Sequence, residues 1–213
     1  THRPFKGAGP RPIRGAMSDE AKNRAGENGA GDPAEPAAPG AGSPHLRRGW
    51  TTGTCAAAAA KAAFAALVTG AFPDPVEVQL PSGARPAFAL AEQSLADGQA
   101  SAAIVKDAGD DPDVTHGALI RARVRRGAPG AGVTYRAGEG VGTITRPGLP
   151  LPPGEPAINP VPRRMIAQGI EEVARAADIA ADAEVEISIA EGERLAQKTL
   201  NPRLGILGGL SVL

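Results

Sequence analysis

Five polar side chains that could accept a proton lie within ten positions of one another: Asp107, Asp110, Asp111, Asp113 and His116. A carboxylate or an imidazole can act as a general base, so Asp107, Asp111, Asp113 and His116 are candidate catalytic residues. Their spacing does not fit a calcium loop, which has acids at alternate positions followed by a glycine. A solvated Asp-Pro turn explains the same composition equally well.

A second segment combines two arginines with a glycine-containing turn. Its polar members and its glycine are Arg47, Arg48, Thr51, Thr52, Gly53 and Thr54. The turn precedes an alanine-rich run, so its backbone N–H groups and hydroxyls could hold an anion at a helix N-terminus. The arginines could pair with carboxylates. Simple capping of the helix by Thr51 or Thr54 is the structural alternative.

The only cysteine, Cys55, follows this turn. A lone thiol forms neither an internal disulfide nor a cysteine-cluster metal site, which favours a reducing, cytoplasmic compartment. Its alanine-rich surroundings indicate a small buried residue, although a helix N-terminus could also activate the thiol. Trp50 is either a hydrophobic staple before the helix or the wall of a site for a flat ligand.

Two helices are expected to position these segments. Residues 55–68 are almost all Ala, Lys, Phe and Leu, which favours a helix, and Gly70 ends it. A second, amphipathic helix is expected over residues 162–177, with Met165 and Ile170 on its apolar side. Before it lies a proline-rich stretch, which is either a stiff connector or part of a site.

Alternating or apolar runs predict the strands. They cover residues 76–80, 88–91, 101–106, 118–125 and 184–190, with a hairpin of 133–137 and 141–145. The last residues, 206–213, form a further apolar run that is typical of a core or sheet element. Strands clustered between two helices predict an α+β fold with a mixed or antiparallel sheet.

Composition limits the class of protein. The 213 residues contain 23 Lys and Arg against 23 Asp and Glu, which argues against a nucleic-acid or membrane-surface binder. No apolar run reaches the ~20 residues that span a bilayer. Residues 1–45 are rich in Gly, Ala and Pro without apolar periodicity. We therefore expect a disordered tail at 1–45 and one ordered domain over 46–213.

In this order, the segments resemble one family. They read RRGWTTGTCAA at 47–57, KDAGDDPDVT at 106–115 and GEPAINPVPR at 154–163, with GVGT at 140–143 and NPRLG at 201–205. They are similar to the CbiD family of cobalt-precorrin-5B C1-methyltransferases. The resemblance covers about residues 46–213, and the preceding residues have no counterpart in it.

The resemblance implies methyl transfer from S-adenosylmethionine to carbon C1 of cobalt-precorrin-5B, giving cobalt-precorrin-6A in anaerobic cobalamin synthesis. It implies an amino-terminal domain like domain 2 of ribosomal protein S5, followed by a smaller α/β domain that holds much of the cofactor site. Because the family continues past Gly208 and Gly209, we expect that carboxy-terminal domain to be missing and this chain to be inactive alone. Cobalt arrives inside the corrinoid substrate, so no protein metal site is expected.

The implied substrate carries many carboxylates, and seven arginines could meet them: Arg47, Arg48, Arg121, Arg123, Arg146, Arg163 and Arg164. Of these, Arg47, Arg48 and Arg163 are assigned to substrate binding, together with the turn from Thr51 to Thr54. The competing hypothesis is a nucleotide- or RNA-binding S5-like module, because a glycine-containing turn on a helix could hold phosphate. A complete phosphate-loop motif is not found in the sequence.

Overall fold

The computed structural model describes residues 47–213, so the tail expected at 1–45 lies outside the described residues. The helices are α1 (Thr52–Thr69), α2 (Pro160–Ala176), α3 (Gly192–Ala196) and α4 (Asn201–Leu204). The strands are β1 (Val76–Glu77), β2 (Ala87–Phe88), β3 (Glu92–Ala96), β4 (Gln99–Val105), β5 (Leu119–Arg126), β6 (Val133–Ala137), β7 (Gly140–Val141), β8 (Thr143–Ile144), β9 (Ala183–Ile189), β10 (Ile206–Leu207) and β11 (Gly209–Leu210).

Five strands form the central sheet in the order β3-β4-β5-β9-β6. The pairs β3-β4, β4-β5 and β5-β9 are antiparallel, whereas β6 runs parallel to β9. Parallel neighbours need a crossover connection, and α2 lies on the connection between these two strands. The sheet is therefore mixed, and the predicted α+β class with a mixed sheet is confirmed.

The two long helices pack on each other and share one core with the sheet. On β4, the even-numbered positions Ala100, Ala102 and Ile104 are buried, and the facing β5 positions follow the same alternation. The alanines of α1 between positions 56 and 63 are completely buried. Because alanine has no side chain beyond Cβ, α1 can approach both α2 and the sheet closely. By length and composition α1 could also span a membrane, but 78% of it is buried inside the protein.

The opposite face of the sheet is charged. Arg123 pairs with Glu186 at 3.1 Å, and Arg125 pairs with Glu184 at 2.7 Å. Arg121 of β5 reaches across β4 to pair with Glu92 of β3. Arg121, Arg123 and Arg125 of β5 therefore already have carboxylate partners within the sheet.

The predicted hairpin of 133–137 and 141–145 is wrong. Strand β6 pairs with β9, whereas β7 pairs parallel to β11 and β8 pairs antiparallel to β10. The chain leaves β6 through Gly140, which has φ 74° and packs so tightly that a Cβ there would lie 2.1 Å from the Ile189 oxygen. Long-range pairing with the last residues thus replaces the local hairpin.

Sequence patterns also missed β3 and overextended β1. All five residues of β3 are exposed, so this edge strand shows no alternation between buried and exposed positions. Asp97 and Gly98, which join it to β4, both have positive φ, as a two-residue type I′ hairpin requires. The run 76–80 forms only the two-residue strand β1, which pairs with β2.

Candidate active-site cavity

An open cavity of about 710 Å³ lies at the N-terminal end of α1. Three separate stretches line it, within positions 47–52, 106–115 and 199–213. Sequence reasoning placed candidate residues on the first two stretches. The fold brings these two together, although they are about 60 residues apart in the chain.

Backbone hydrogen bonds fasten the first stretch to the second. The N–H of Trp50 donates to the Asp107 oxygen at 2.7 Å, and the N–H of Asp110 donates to the Arg47 oxygen at 3.0 Å. Between these bonds, a Cβ on Gly49 would lie 1.8 Å from the carbonyl carbon of Ala108. Glycine is therefore needed at position 49 for the two backbones to come this close.

Thr51 caps α1. Its Oγ1 accepts a hydrogen bond from the N–H of Thr54 at 3.1 Å, so the capping interpretation is confirmed for this residue. The N–H of Gly53 donates to the Leu213 oxygen at 2.6 Å. Gly53 and Thr54 are buried and do not line the cavity, whereas Thr51 and Thr52 do.

The two arginines before α1 have different surroundings. Arg47 makes a bidentate ion pair with Asp107, in which Nη2 donates to Oδ1 at 2.9 Å. Arg48 lines the cavity, and its guanidinium has no hydrogen-bond or ion-pair partner among residues 47–213. Only Arg48 of this pair is thus uncommitted and able to meet an anionic ligand.

The ion pair with Arg47 also decides the charge of Asp107. Its hydrogen bond from Arg47 and a second one from the N–H of Gly109 lower the pKa of Asp107 to about 2. A carboxylate with so low a pKa is a weak base at neutral pH. Asp107 therefore orders the loop more readily than it removes a proton.

An ion pair between a buried lysine and a partly exposed aspartate lies in the wall of the cavity. The ammonium of Lys106 donates to Oδ2 of Asp113 at 2.7 Å. Oδ1 of Asp113 accepts from both the N–H and the hydroxyl of Thr115, at 2.7 and 2.6 Å. Burial opposes ionisation of Asp113, but the hydrogen bonds from Lys106 and Thr115 outweigh it and lower its pKa.

Lys106 was not among the candidate residues, although a sequence signal for it exists. Ala100, Ala102 and Ile104 of β4 are buried in the core that the sheet shares with the helices, and continuing that alternation by one step places Lys106 on the same side. A lysine in phase with an apolar strand face is a buried charge, which needs a partner or a function.

The remaining two candidate bases differ in position. Asp111 is exposed and lines the cavity, and its carboxylate has no hydrogen-bond or ion-pair partner in the described part of the chain. His116 does not line the cavity, and its Nδ1 accepts from the N–H of Ala108 at 3.1 Å. Geometry therefore favours Asp111 over His116 as the group that reaches a ligand.

Arg163 lies outside the cavity lining. Its Nε donates to the Ile158 oxygen and its Nη2 to Glu155, both at 2.8 Å. The guanidinium also lies 5.0 Å from the ring centre of Tyr135, whose hydroxyl donates to the Arg163 oxygen. These contacts tie the proline-rich segment to α2 and β6, which is a structural role.

The third wall of the cavity comes from the last residues of the chain and was not predicted as part of a site. It includes Thr199, the buried Asn201 and Ser211, whose hydroxyl lies 3.4 Å from Oδ1 of Asn201. The only earlier signal was the NPRLG stretch of the family resemblance, which begins with Asn201.

Cys55 is not a reactive thiol. It is completely buried, and burial raises its pKa to about 12 against the smaller lowering effect of nearby Lys106. The thiol therefore stays protonated and inaccessible, as expected of a small core residue. Within residues 47–213, no group of three or more His, Cys, Asp or Glu side chains could hold a metal ion.

Comparison with known proteins gives one consistent result. A family model described as CbiD matches residues 40–213. A cobalt-precorrin-5B C(1)-methyltransferase from Agrobacterium fabrum is 72% identical over 168 residues, covering 79% of this chain and 44% of that protein. A second protein with this name, from Methylorubrum extorquens, is 63% identical and is covered over 46% of its length.

A solved structure shares the fold. The 1.9 Å crystal structure of the cobalamin biosynthesis protein (cbiD) from Archaeoglobus fulgidus has a TM-score of 0.59 and 32% sequence identity, covering 79% of this chain and 52% of that chain. The chain thus spans less than half the length of the two curated relatives and about half of the crystallised one.

Proposed function

This chain belongs to the CbiD family over residues 40–213, and from that premise we propose that its full-length protein methylates carbon C1 of cobalt-precorrin-5B. The donor is S-adenosylmethionine and the product is cobalt-precorrin-6A. One observation carries the proposal: a cavity at the start of α1 holds an uncommitted cation, Arg48, and an uncommitted carboxylate, Asp111. The acceptor, a macrocycle with carboxylate side chains, needs a cation to bind it and a base to take its proton.

In the proposed reaction, the methyl carbon forms a bond to ring carbon C1 as its bond to the donor sulfur breaks. The sulfonium becomes a neutral thioether, S-adenosylhomocysteine. The ring, which has gained a methyl cation, then loses one proton to a base. Alignment of the carbon, the methyl group and the sulfur supplies most of the rate, because it makes a bimolecular step effectively unimolecular.

The candidate bases receive different roles, according to whether an ion pair already holds the carboxylate. Asp107 and Asp113 are held by Arg47 and Lys106, so they fix the walls of the cavity. Asp111 faces the cavity without such a partner and is the proposed proton acceptor. Arg48 is the proposed contact for a carboxylate of the ring.

We further propose that this chain is an amino-terminal domain of the ribosomal protein S5 domain 2-like type and is inactive alone. Three antiparallel strands, a parallel β-α-β unit and two helices packed on one side of the sheet support that assignment. The relatives are more than twice as long as the aligned region, which supports a donor site that draws on residues outside this chain.

The competing nucleotide- or RNA-binding function receives no specific support. On the charged face of the sheet, Arg123 and Arg125 pair with glutamates. The cavity contains three aspartates beside its cations, at positions 110, 111 and 113. Both features reduce the positive potential on which phosphate binding depends.

The test uses the full-length protein, cobalt-precorrin-5B and S-adenosylmethionine labelled in its methyl group. We expect label in a product one methyl group heavier than the acceptor, with C1 identified by carbon-13 NMR. The same assay on residues 47–213 alone should give no product. A full-length protein that transfers no label to this acceptor would contradict the proposed activity.

A further inference from the structure

The hydroxyl of Thr52 has no hydrogen-bond partner among the described residues, although only 7% of the residue is exposed. No fully enclosed side-chain nitrogen or oxygen in the described range lacks a partner, so this hydroxyl is not sealed off from solvent. Thr52 lines the cavity at the first residue of α1. A nearly buried hydroxyl that has no protein partner and belongs to a cavity-lining residue is suited to a ligand.

A second buried donor group from another element serves the same cavity. Lys106 is 1% exposed and lines the cavity beyond the end of β4. An ammonium has three N–H donors, and Asp113 is the one side-chain partner of Lys106 within residues 47–213. Donor capacity is therefore left for a ligand at this end of the cavity.

The two groups are neighbours. Both line the same cavity. The N–H of Trp50, two residues before Thr52, donates to the oxygen of Asp107, the residue after Lys106, at 2.7 Å. Lys106 and the N-terminal turn of α1 therefore border the same part of the cavity, where the helix dipole adds positive potential.

The charge balance of the cavity selects the kind of anion. Asp110, Asp111 and Asp113 also line it, and a doubly charged phosphate would be repelled by all three. A singly charged carboxylate can accept from the Thr52 hydroxyl and the Lys106 ammonium at a smaller electrostatic cost.

We propose that Thr52, Lys106 and the N-terminal turn of α1 form a carboxylate-binding subsite in this cavity. It rests on the proposed function, in which two ligands carry carboxylates: the corrinoid ring, through its side chains, and S-adenosylmethionine, through its amino-acid group. The subsite orients whichever ligand it holds, while Arg48 remains free for a second contact.

The test measures binding to the full-length protein by titration calorimetry. The corrin probes are cobyrinic acid and its heptamethyl ester, which share the corrin ring but carry seven charged carboxylates and seven uncharged methyl esters respectively. The donor probes are S-adenosylmethionine and its decarboxylated form. The variant is Thr52→Val, which keeps the side-chain shape and removes the hydroxyl. The matched control is Thr134→Val on the exposed sheet face, and Lys106→Met is a second test of the subsite.

We expect Thr52→Val to weaken cobyrinic acid binding about tenfold or more, the loss of one hydrogen bond to a charged group. Binding of the heptamethyl ester and of both donor probes should stay unchanged, as should every affinity of Thr134→Val. A loss confined to S-adenosylmethionine would equally support the subsite and assign its carboxylate to the donor.

Two results would overturn the subsite alone: wild-type affinities for all probes in Thr52→Val, or an equal loss for the acid and its ester. Wild-type protein that binds neither corrin probe and neither donor probe would overturn both the subsite and the proposed function. Because Thr52→Val replaces a hydroxyl by a methyl group of similar size, its unfolding temperature should match that of wild type, which would establish that the variant is folded.

Discussion

The ion pair between Lys106 and Asp113 is asymmetric in its exposure. Nζ of Lys106 and Oδ2 of Asp113 are 2.7 Å apart, yet the lysine side chain is 1% exposed and the aspartate side chain 36%. The lysine has therefore lost almost all of its hydration, whereas the aspartate keeps part of it. The two partners should differ in what their removal costs.

Asp113→Ala should destabilise the protein more than Lys106→Met does. The first variant leaves an ammonium buried without its partner, which costs about 3 kcal/mol of unfolding free energy. The second leaves a carboxylate that Thr115 and water still solvate, and we expect about 1 kcal/mol. Urea unfolding gives both values. Glu186→Ala, which removes the carboxylate partner of Arg123, serves as a control. Its free energy of unfolding should lie within about 0.5 kcal/mol of the wild-type value. Equal losses for Asp113→Ala and Lys106→Met would contradict the asymmetry.

Arg48→Ala should weaken ligand binding without changing stability, whereas Arg163→Ala should lower stability. Arg48 has no partner in the described chain, so its loss should leave stability unchanged and weaken corrinoid binding by about 1.5–3 kcal/mol. Arg163 holds the proline-rich segment, so its loss should lower the unfolding free energy by about 2 kcal/mol. Calorimetric titration and urea unfolding of both variants test this pair. Weaker corrinoid binding by a folded Arg163→Ala alone would restore Arg163 to the site.

Asp111→Asn should lower turnover about a hundredfold or more while corrinoid binding is retained, because an amide cannot accept the ring proton. Asp110→Asn is the matched control, since that carboxylate accepts from the backbone N–H of Arg47 and an amide oxygen can replace it. Single-turnover kinetics of the full-length variants separate binding from chemistry. Should His116→Ala lose turnover while Asp111→Asn keeps it, the base is His116.

The stabilising effect of the Arg47–Asp107 pair should depend on pH at the acidic end. Asp107 has a folded-state pKa of about 2, below the ordinary value of about 3.9 for the unfolded chain. Its contribution is therefore complete above about pH 4 and is lost as the pH falls through about 2. Asp107→Asn lacks this dependence, so the difference in unfolding free energy between wild type and variant should shrink from pH 5 to pH 2. A constant difference would show that the pair does not form in solution.

Local patterns predicted those parts of the molecule whose contacts are local. Helix α1 follows from its alanine content and its threonine cap, and β5 follows from its alternating arginines. The same kind of pattern on β4 marks Lys106 as buried. Neither the partner of Lys106 nor the cavity beside it is visible without the fold, because Asp113 reaches it through a loop.

Parts that depend on distant pairing were not predictable. Strand β7 pairs with β11 rather than with its neighbour β6, and no local signal distinguishes these partners. Arg163 is the last residue of the GEPAINPVPR stretch of the family resemblance, yet it donates its hydrogen bonds to residues 155–158 of the same stretch. The wall that contains Asn201 and Ser211 likewise exists only because the last residues return to the start of α1.

The contact between residues 199–213 and the start of α1 determines when the cavity can form during synthesis. The N–H of Gly53 donates to the oxygen of Leu213, 160 positions later, at 2.6 Å. On the ribosome, α1, β4 and β5 can emerge and pack while residues 199–213 are still untranslated or inside the exit tunnel. The nascent domain therefore passes through a stage with a nearly complete core and one wall of its cavity absent. A ligand of this cavity cannot assist the folding steps that precede the arrival of residues 199–213.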